Sequence, residues 1–121
     1  MWRLIYGSAQ ERGRQAERRV EGYYRRRGWR IAARNWQGGG GELDLVASRW
    51  RTLVVVEVRH RRRGDPLASI DAAKLARTLT AARALVRAHH LQRYRLRIDL
   101  AAVDERGRVS VRAEVQDLRG S

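Results

Sequence analysis

The stretch GELDLVASRWRTLVVVEVRHR, residues 41–61, sets acids at Glu42, Asp44 and Glu57 and a cation at Arg59 within two short runs of strand character. Side chains alternate between the faces of a strand. Leu43, Leu45 and Ala47 are therefore expected to share a core face with Val54, Val56 and Val58. Glu42, Asp44 and Val46 fall on the opposite face with Leu53, Val55, Glu57 and Arg59. If Trp50-Arg51 makes a two-residue hairpin loop, facing residues have numbers that sum to 101, so Asp44 lies opposite Glu57 and Glu42 opposite Arg59. Directly opposed like charges weaken a sheet by a few tenths to about 1 kcal/mol. A divalent cation would compensate them, and carboxylates completed by water or phosphate oxygens suit Mg²⁺ or Mn²⁺ rather than zinc. The plainer reading of these residues is a solvated face with a Glu42–Arg59 surface pair. A bulge or an odd loop would put Asp44 and Glu57 on opposite faces.

The elements that must hold this hairpin are legible from spacing. Ser8-Ala9-Gln10-Glu11 has capping-box spacing, and Ala16, Val20, Tyr23 and Tyr24 recur at helical intervals up to Gly28. Trp29 to Asn35 alternates weakly, and Gly38 to Gly41 makes a flexible turn before the strands Glu42 to Ala47 and Thr52 to Arg59. His60 to Ser69, with Gly64 and Pro66, reads as a loop. Ser69 is expected to cap a helix from Ile70 to about His89, with Leu75, Leu79, Ala82 and Val86 as its apolar stripe. A second hairpin follows: Tyr94, Leu96, Ile98 and Leu100, a turn at Asp104 to Gly107, then Val109, Val111, Ala113 and Val115. The order is α-β-β-β-α-β-β. The expectation is one α/β domain over residues 1–121, a mixed central sheet flanked by helices, frayed only in its last few residues.

Composition narrows the partner. Among 121 residues, 27 Lys plus Arg oppose 13 Asp plus Glu, a net charge of +14, and Lys74 is the single lysine. Such an excess repels itself in the compact state and points to a polyanion, with nucleic acid first. Without cysteine there is no disulfide scaffold, thiol catalysis or thiolate-held zinc. No run approaches the roughly 18 apolar residues of a membrane span, and the N-terminus lacks the apolar core of a signal peptide, so a soluble, cytoplasmic protein with no membrane partner is expected.

Gly13, Ala16-Glu17, Gly28, Arg34-Asn35, Gly41-Glu42-Leu43-Asp44, Val56-Glu57-Val58-Arg59, Arg61, Gly64, Lys74 and Arg97-Ile98-Asp99 together resemble the bacterial YraN family over most of the chain. That family groups with the Holliday-junction-resolvase branch of the PD-(D/E)xK, restriction-endonuclease-like nucleases. The resemblance implies a restriction-endonuclease-like fold and a divalent-metal-dependent endonuclease cutting DNA, including branched or structured DNA, as a homodimer. It implies Asp44 and Glu57 as metal-binding carboxylates and Glu17 as a third acid or outer partner. Arg59 stands where the nuclease motif usually has lysine. Arginine stays charged, so it can stabilise a transition state but cannot abstract a proton. Lys74 is expected to project from the second helix toward the carboxylates and to position phosphate or water; its plainer role is a stem packed beside Ile70 and Thr78.

Arg25, Arg26 and Arg27, with Arg61, Arg62 and Arg63, are expected to grip phosphates, which fixes position rather than sequence. Trp36 and Trp50, near turns, could stack on splayed bases, although core or rim packing is the commoner role of such residues. His60, His89 and His90 have no metal-ligand spacing and read as structural or surface residues. The alternatives to an endonuclease are a non-catalytic nucleic-acid-binding module with a degenerate nuclease site, marked by Arg59, and a basic protein that binds RNA or a ribonucleoprotein.

Overall fold

The computed structural model of the chain describes residues 11–60 and 71–117. Along them run α1 (Glu11–Arg26), β1 (Arg30–Gly38), β2 (Gly41–Arg49), β3 (Thr52–His60), α2 (Ala72–Ala88), β4 (Arg95–Val103) and β5 (Val109–Asp117). This is the expected α-β-β-β-α-β-β order. The Ser8–Gln10 part of the capping box, the basic loop with Arg61, Arg62, Arg63, Gly64 and Pro66, and the last residues lie outside the described residues.

The five strands form one sheet in sequence order. β1, β2 and β3 are joined antiparallel, β3 and β4 run parallel across the α2 connection, and β4 and β5 close antiparallel. Parallel neighbours need a crossover, and α2 provides it. The sheet is buried on both sides. α1 packs Ala16, Val20 and Tyr24 against Leu45, Ala47, Val54 and Val56, while α2 packs Ala81, Ala82 and Leu85 against Val46, Leu53, Val55 and Ile98. That double burial explains why β3 reads as Leu-Val-Val-Val rather than as an alternating strand.

Three local expectations change. The N-cap of α2 is Asp71, whose side chain accepts from the Ala73 N–H at 2.8 Å, so the helix starts at Ala72 rather than at Ile70 behind a Ser69 cap. A carboxylate there also meets the positive end of the helix dipole. The fully buried ridge of α2 is Thr78, Ala81, Ala82 and Leu85, and Leu75, Leu79 and Val86 only flank it. On β2, Leu45 and Ala47 do face α1 beside Val54, Val56 and Val58, but Leu43 packs on the α2 side with Trp36, Leu53 and Val55. The alternation slips because Asn35 takes φ +49°, in the left-handed region that Asn tolerates. Asn35 and Asp44 sit between the partners Arg34↔Leu45 and Trp36↔Leu43, so both strands switch face at one place.

Candidate functional site

The β2–β3 register is the predicted one: Arg49↔Thr52, Ser48↔Leu53, Ala47↔Val54, Val46↔Val55 and Leu45↔Val56 all sum to 101. The next step would join Asp44 to Glu57, and there the ladder ends. The Asp44 carboxylate instead accepts the Val58 backbone N–H at 2.9 Å. A side chain thus takes the hydrogen bond that a strand would have offered, and the two strands part around a pair of acids. Val54, Val55 and Val56 hold the other end of β3 without exposure to water, so the parting is local.

Electrostatics distinguishes this place from the rest of the sheet. Burial raises the Asp44 carboxyl, and so does the adjacent Glu57 charge, which together push it up to about 7. The Val58 N–H and the Lys74 ammonium act in the opposite sense. Glu57 is buried at 3% exposure and has Lys74 Nζ at 3.3 Å from Oε2. Lys74 lies four residues before Thr78 and seven before Ala81, on the line of the α2 ridge that faces the sheet. Its position follows from that helical spacing.

From the opposite layer, Glu17 of α1 accepts from Asn35 Nδ2 at 3.2 Å. Its carboxyl is raised, first by burial and then by Glu42 and Glu21, against the lowering effect of Asn35. Glu17 also contributes to the raised Asp44, which places it beside the acids that the sequence grouped with it. Glu42 is exposed and accepts from Gln37 Nε2 at 3.1 Å, its cross-strand partner on β1. The β2–β3 ladder stops short of a Glu42–Arg59 pair. Arg59, on β3 two residues past Glu57, is half-buried.

Asn35 and the Val58 N–H are parts of this arrangement that spacing alone did not reveal. Asn is a residue that tolerates the left-handed region, but that tolerance alone did not mark Asn35 or say what its side chain would hold. Among the described residues, no three His, Cys, Asp or Glu side chains converge closely enough to hold a metal ion by themselves. Any cation here would rest on Asp44 and Glu57 with outside oxygens.

The terminal arginines of α1 lie elsewhere. Arg49 Nη1 donates to the Arg27 carbonyl at 2.8 Å, which ties the residue after α1 to the end of β2, just before the Trp50 turn. Asp44 is five residues back along β2, about 17 Å at the rise of a strand. Arg25 is 3.7 Å from Glu21, and the Arg27 guanidinium sits 3.5 Å over the Tyr23 ring. Trp36 is core, packed at its edge against His89. Trp50 is not in the core or its rim: it is 94% exposed.

The described residues thus define a three-layered α/β/α domain in which a central antiparallel pair opens at its end around two carboxylates and a lysine. The model of the uncharacterised protein family UPF0102 matches residues 16–103. A UPF0102 protein of Paenarthrobacter aurescens is 39% identical over 89% of this chain and 90% of its own length, and one of Myxococcus xanthus is 36% identical over 100% and 96%. One from Porphyromonas gingivalis reaches 49% identity over about half of each chain. The chain belongs to the uncharacterised protein family UPF0102, which is the YraN family that its motifs resemble. Among the described residues no helix is long and apolar enough to cross a membrane.

Proposed function

We propose that this chain is a divalent-metal-dependent endonuclease that hydrolyses DNA phosphodiester bonds, with branched or otherwise structured DNA as its substrate. The observation that carries the reading is Asp44, held by its own strand neighbour beside a second acid and pushed up to about 7. Two adjacent carboxylates on partly dry ground are a set of hard oxygen donors short of positive charge. That fits Mg²⁺ or Mn²⁺, which keep several water or phosphate ligands and do not require a third protein acid.

Asp44 and Glu57 would hold the cation. Bound there, it supplies a Lewis acid for the phosphoryl oxygens and an acidified water. The remaining work falls to this chain. The Val58 N–H fixes the direction of the Asp44 carboxylate. Asn35 anchors Glu17 behind it, so that the second layer of acid cannot swing away. Lys74, with half of its side chain in solvent, reaches Glu57 from above the sheet and can donate to a phosphate oxygen or a water without leaving that carboxylate. Arg59 adds fixed positive potential where the strand leaves the site. The lysine function usual at the position of Arg59 is thereby supplied from α2.

Cleavage of labelled duplex, single-stranded and four-way-junction DNA with Mg²⁺, Mn²⁺ or EDTA tests the reading. Metal-dependent cutting by the wild type, absent from Asp44→Asn and Glu57→Gln while binding persists, is the expected result. The second reading, a nucleic-acid-binding module with a lapsed site, is favoured by Arg59 in place of the motif lysine. Tight binding without cutting on every substrate and with either metal would establish it instead.

A further inference from the structure

The opposite end of the sheet carries a feature that the carboxylate site does not use. Trp50, at the tip of the β2–β3 hairpin, is the sole large hydrophobic residue exposed among those described. It also takes φ +58°, a conformation in which Gly or Asn is at ease and a bulky aromatic is an outlier. An exposed indole gains nothing from burial, and its backbone conformation is disfavoured. Neither packing nor turn geometry gives the fold a reason to keep tryptophan here. Local choices that run against the fold mark positions held for another purpose.

The surroundings indicate what that purpose is. Trp50 lines an open cavity of about 560 Å³ with Arg51, Arg93 and Tyr94. Tyr94 also lines the neighbouring groove of about 310 Å³, whose other walls include Arg83 and Arg87 of α2. The two hollows therefore meet at one tyrosine and make a track that begins at Trp50 and runs along the α2 side of the sheet. No carboxylate lines either hollow among the described residues. Arg95, in the second, is already paired with Glu114. Arg51, Arg83, Arg87 and Arg93 are all exposed. Aromatic faces spaced along a groove of unneutralised arginines are what a single strand requires: stacking for its bases and charge for its backbone. A duplex offers the charge partner but keeps its base faces covered.

We infer that the Trp50–Tyr94 track binds single-stranded nucleic acid, with an unpaired base stacked on Trp50 and the following phosphates on Arg93, Arg83 and Arg87. It shares with the proposed function only that the partner is a nucleic acid, and needs no cleavage. Thr52 to Glu57 spans five residues of strand, about 17 Å, so a strand seated on the track lies several nucleotides from the carboxylates. One molecule could then hold an unpaired arm while a different part of the same substrate meets Asp44.

Trp50→Gly separates this role from a structural one, because glycine relieves the left-handed backbone. Binding of labelled oligo(dT) and oligo(U), each about 15 nucleotides long, and of a blunt duplex of the same length is measured by anisotropy in EDTA at about 0.1 M salt. The expected result is unchanged or raised thermal stability, a loss of roughly 5- to 150-fold in affinity for the single strands, and little change for the duplex. A triple replacement of Arg83, Arg87 and Arg93 by Gln should lower the salt slope on oligo(dT) by about 2. Equal losses on oligo(dT) and oligo(U) fit a track that reads base faces; loss on one alone adds a sugar preference to the same site. Single-strand affinity unchanged in Trp50→Gly overturns the inference and leaves the nuclease reading standing. So does loss of self-association by sedimentation without loss of single-strand binding, which assigns the patch to a second copy of the chain. Cleavage that survives Asp44→Asn removes the carboxylate site from the nuclease reading and leaves this inference untouched.

Discussion

Asp99 and Asp44 lie on neighbouring parts of one sheet, and their surroundings treat the same side chain in opposite ways. Asp99 has no exposure at all, yet its carboxylate accepts from Arg97 Nε at 3.0 Å, Arg97 Nη2 at 2.9 Å, Tyr24 Oη at 2.6 Å and the Glu114 N–H at 3.0 Å. Arg97 in turn lies over the Trp29 ring. Asp44 is less buried but receives one backbone N–H, and its nearest charged company is another acid. A buried charge is tolerable when paired and fully hydrogen-bonded, as at Asp99. Asp44 is left short of positive charge in a place that water can still reach. The first arrangement serves the fold; the second is what the proposed cation site would require.

Substitution should break this contrast most sharply in catalysis. Asp44→Asn and Glu57→Gln should each lower metal-dependent cleavage on the order of 10³-fold or more, because the several kcal/mol that a bound metal supplies convert at about 1.4 kcal/mol per factor of ten. Stability should move the other way, with metal-free Asp44→Asn at least as stable as the wild type at pH 8. Asp99→Ala should show the reverse profile. It strands the Arg97 guanidinium and the Tyr24 hydroxyl in the interior, a loss of about 3–5 kcal/mol that urea unfolding reads directly. A metal-free Asp44→Asn protein as unstable as Asp99→Ala would sink the distinction between the two sites.

The hairpin half of this picture was readable because its physics is local. A two-residue link at Trp50-Arg51 fixes the register, and five observed pairs follow from that one number. The register ends at Asp44, and no period of two could foresee that, since Asp44 lies beside Asn35, a left-handed residue on another strand. Leu43 was assigned to the wrong layer for the same reason. Asp71 displaced Ser69 as the cap because both residues suit an N-cap and spacing alone does not rank them. The Asp99 cluster was invisible as a unit: Tyr24 and Asp99 are 75 positions apart and meet only once α1 lies on the sheet. Lys74 was legible as a distinctive residue because it is the single lysine, and helical spacing from the buried ridge set it on the sheet side.

Proton linkage offers a gentler test of Asp44. A carboxyl at about 7 in the folded protein, against 3.8 as its ordinary value, binds a proton more tightly folded than unfolded. Between about pH 4 and pH 7 the native state therefore holds the extra proton, and stability falls as pH rises through that window, then levels off. The effect is on the order of 4 kcal/mol at about 1.36 kcal/mol per pKa unit. It is read as the difference between wild type and Asp44→Asn in EDTA, so that the titration of the rest of this basic chain cancels. Mg²⁺ binds the ionised form, so it should raise the melting temperature more at pH 8 than at pH 5. Parallel pH curves for wild type and Asp44→Asn would show that Asp44 titrates as an ordinary surface acid.

The smallest effect is the most discriminating, because its two readouts have opposite signs. Lys74 faces Glu57 across 3.3 Å and lowers the Asp44 carboxyl, so at the carboxylates it competes with a divalent ion for the same negative charge. In the proposed catalysis it would help, by holding phosphate or water. Lys74→Ala should therefore bind Mn²⁺ more tightly, by no more than about fivefold since the ammonium is half in solvent, while cleavage falls by roughly 10- to 100-fold. Lys74→Arg keeps the charge and sharpens the result. If Arg restores both quantities, the lysine acts as a fixed charge, and Arg59 would be equivalent to it in kind. Restoring metal affinity without cleavage would mean that a proton leaves the Nζ, a step that arginine cannot make. A lysine that merely packs its stem on α2 would change neither quantity.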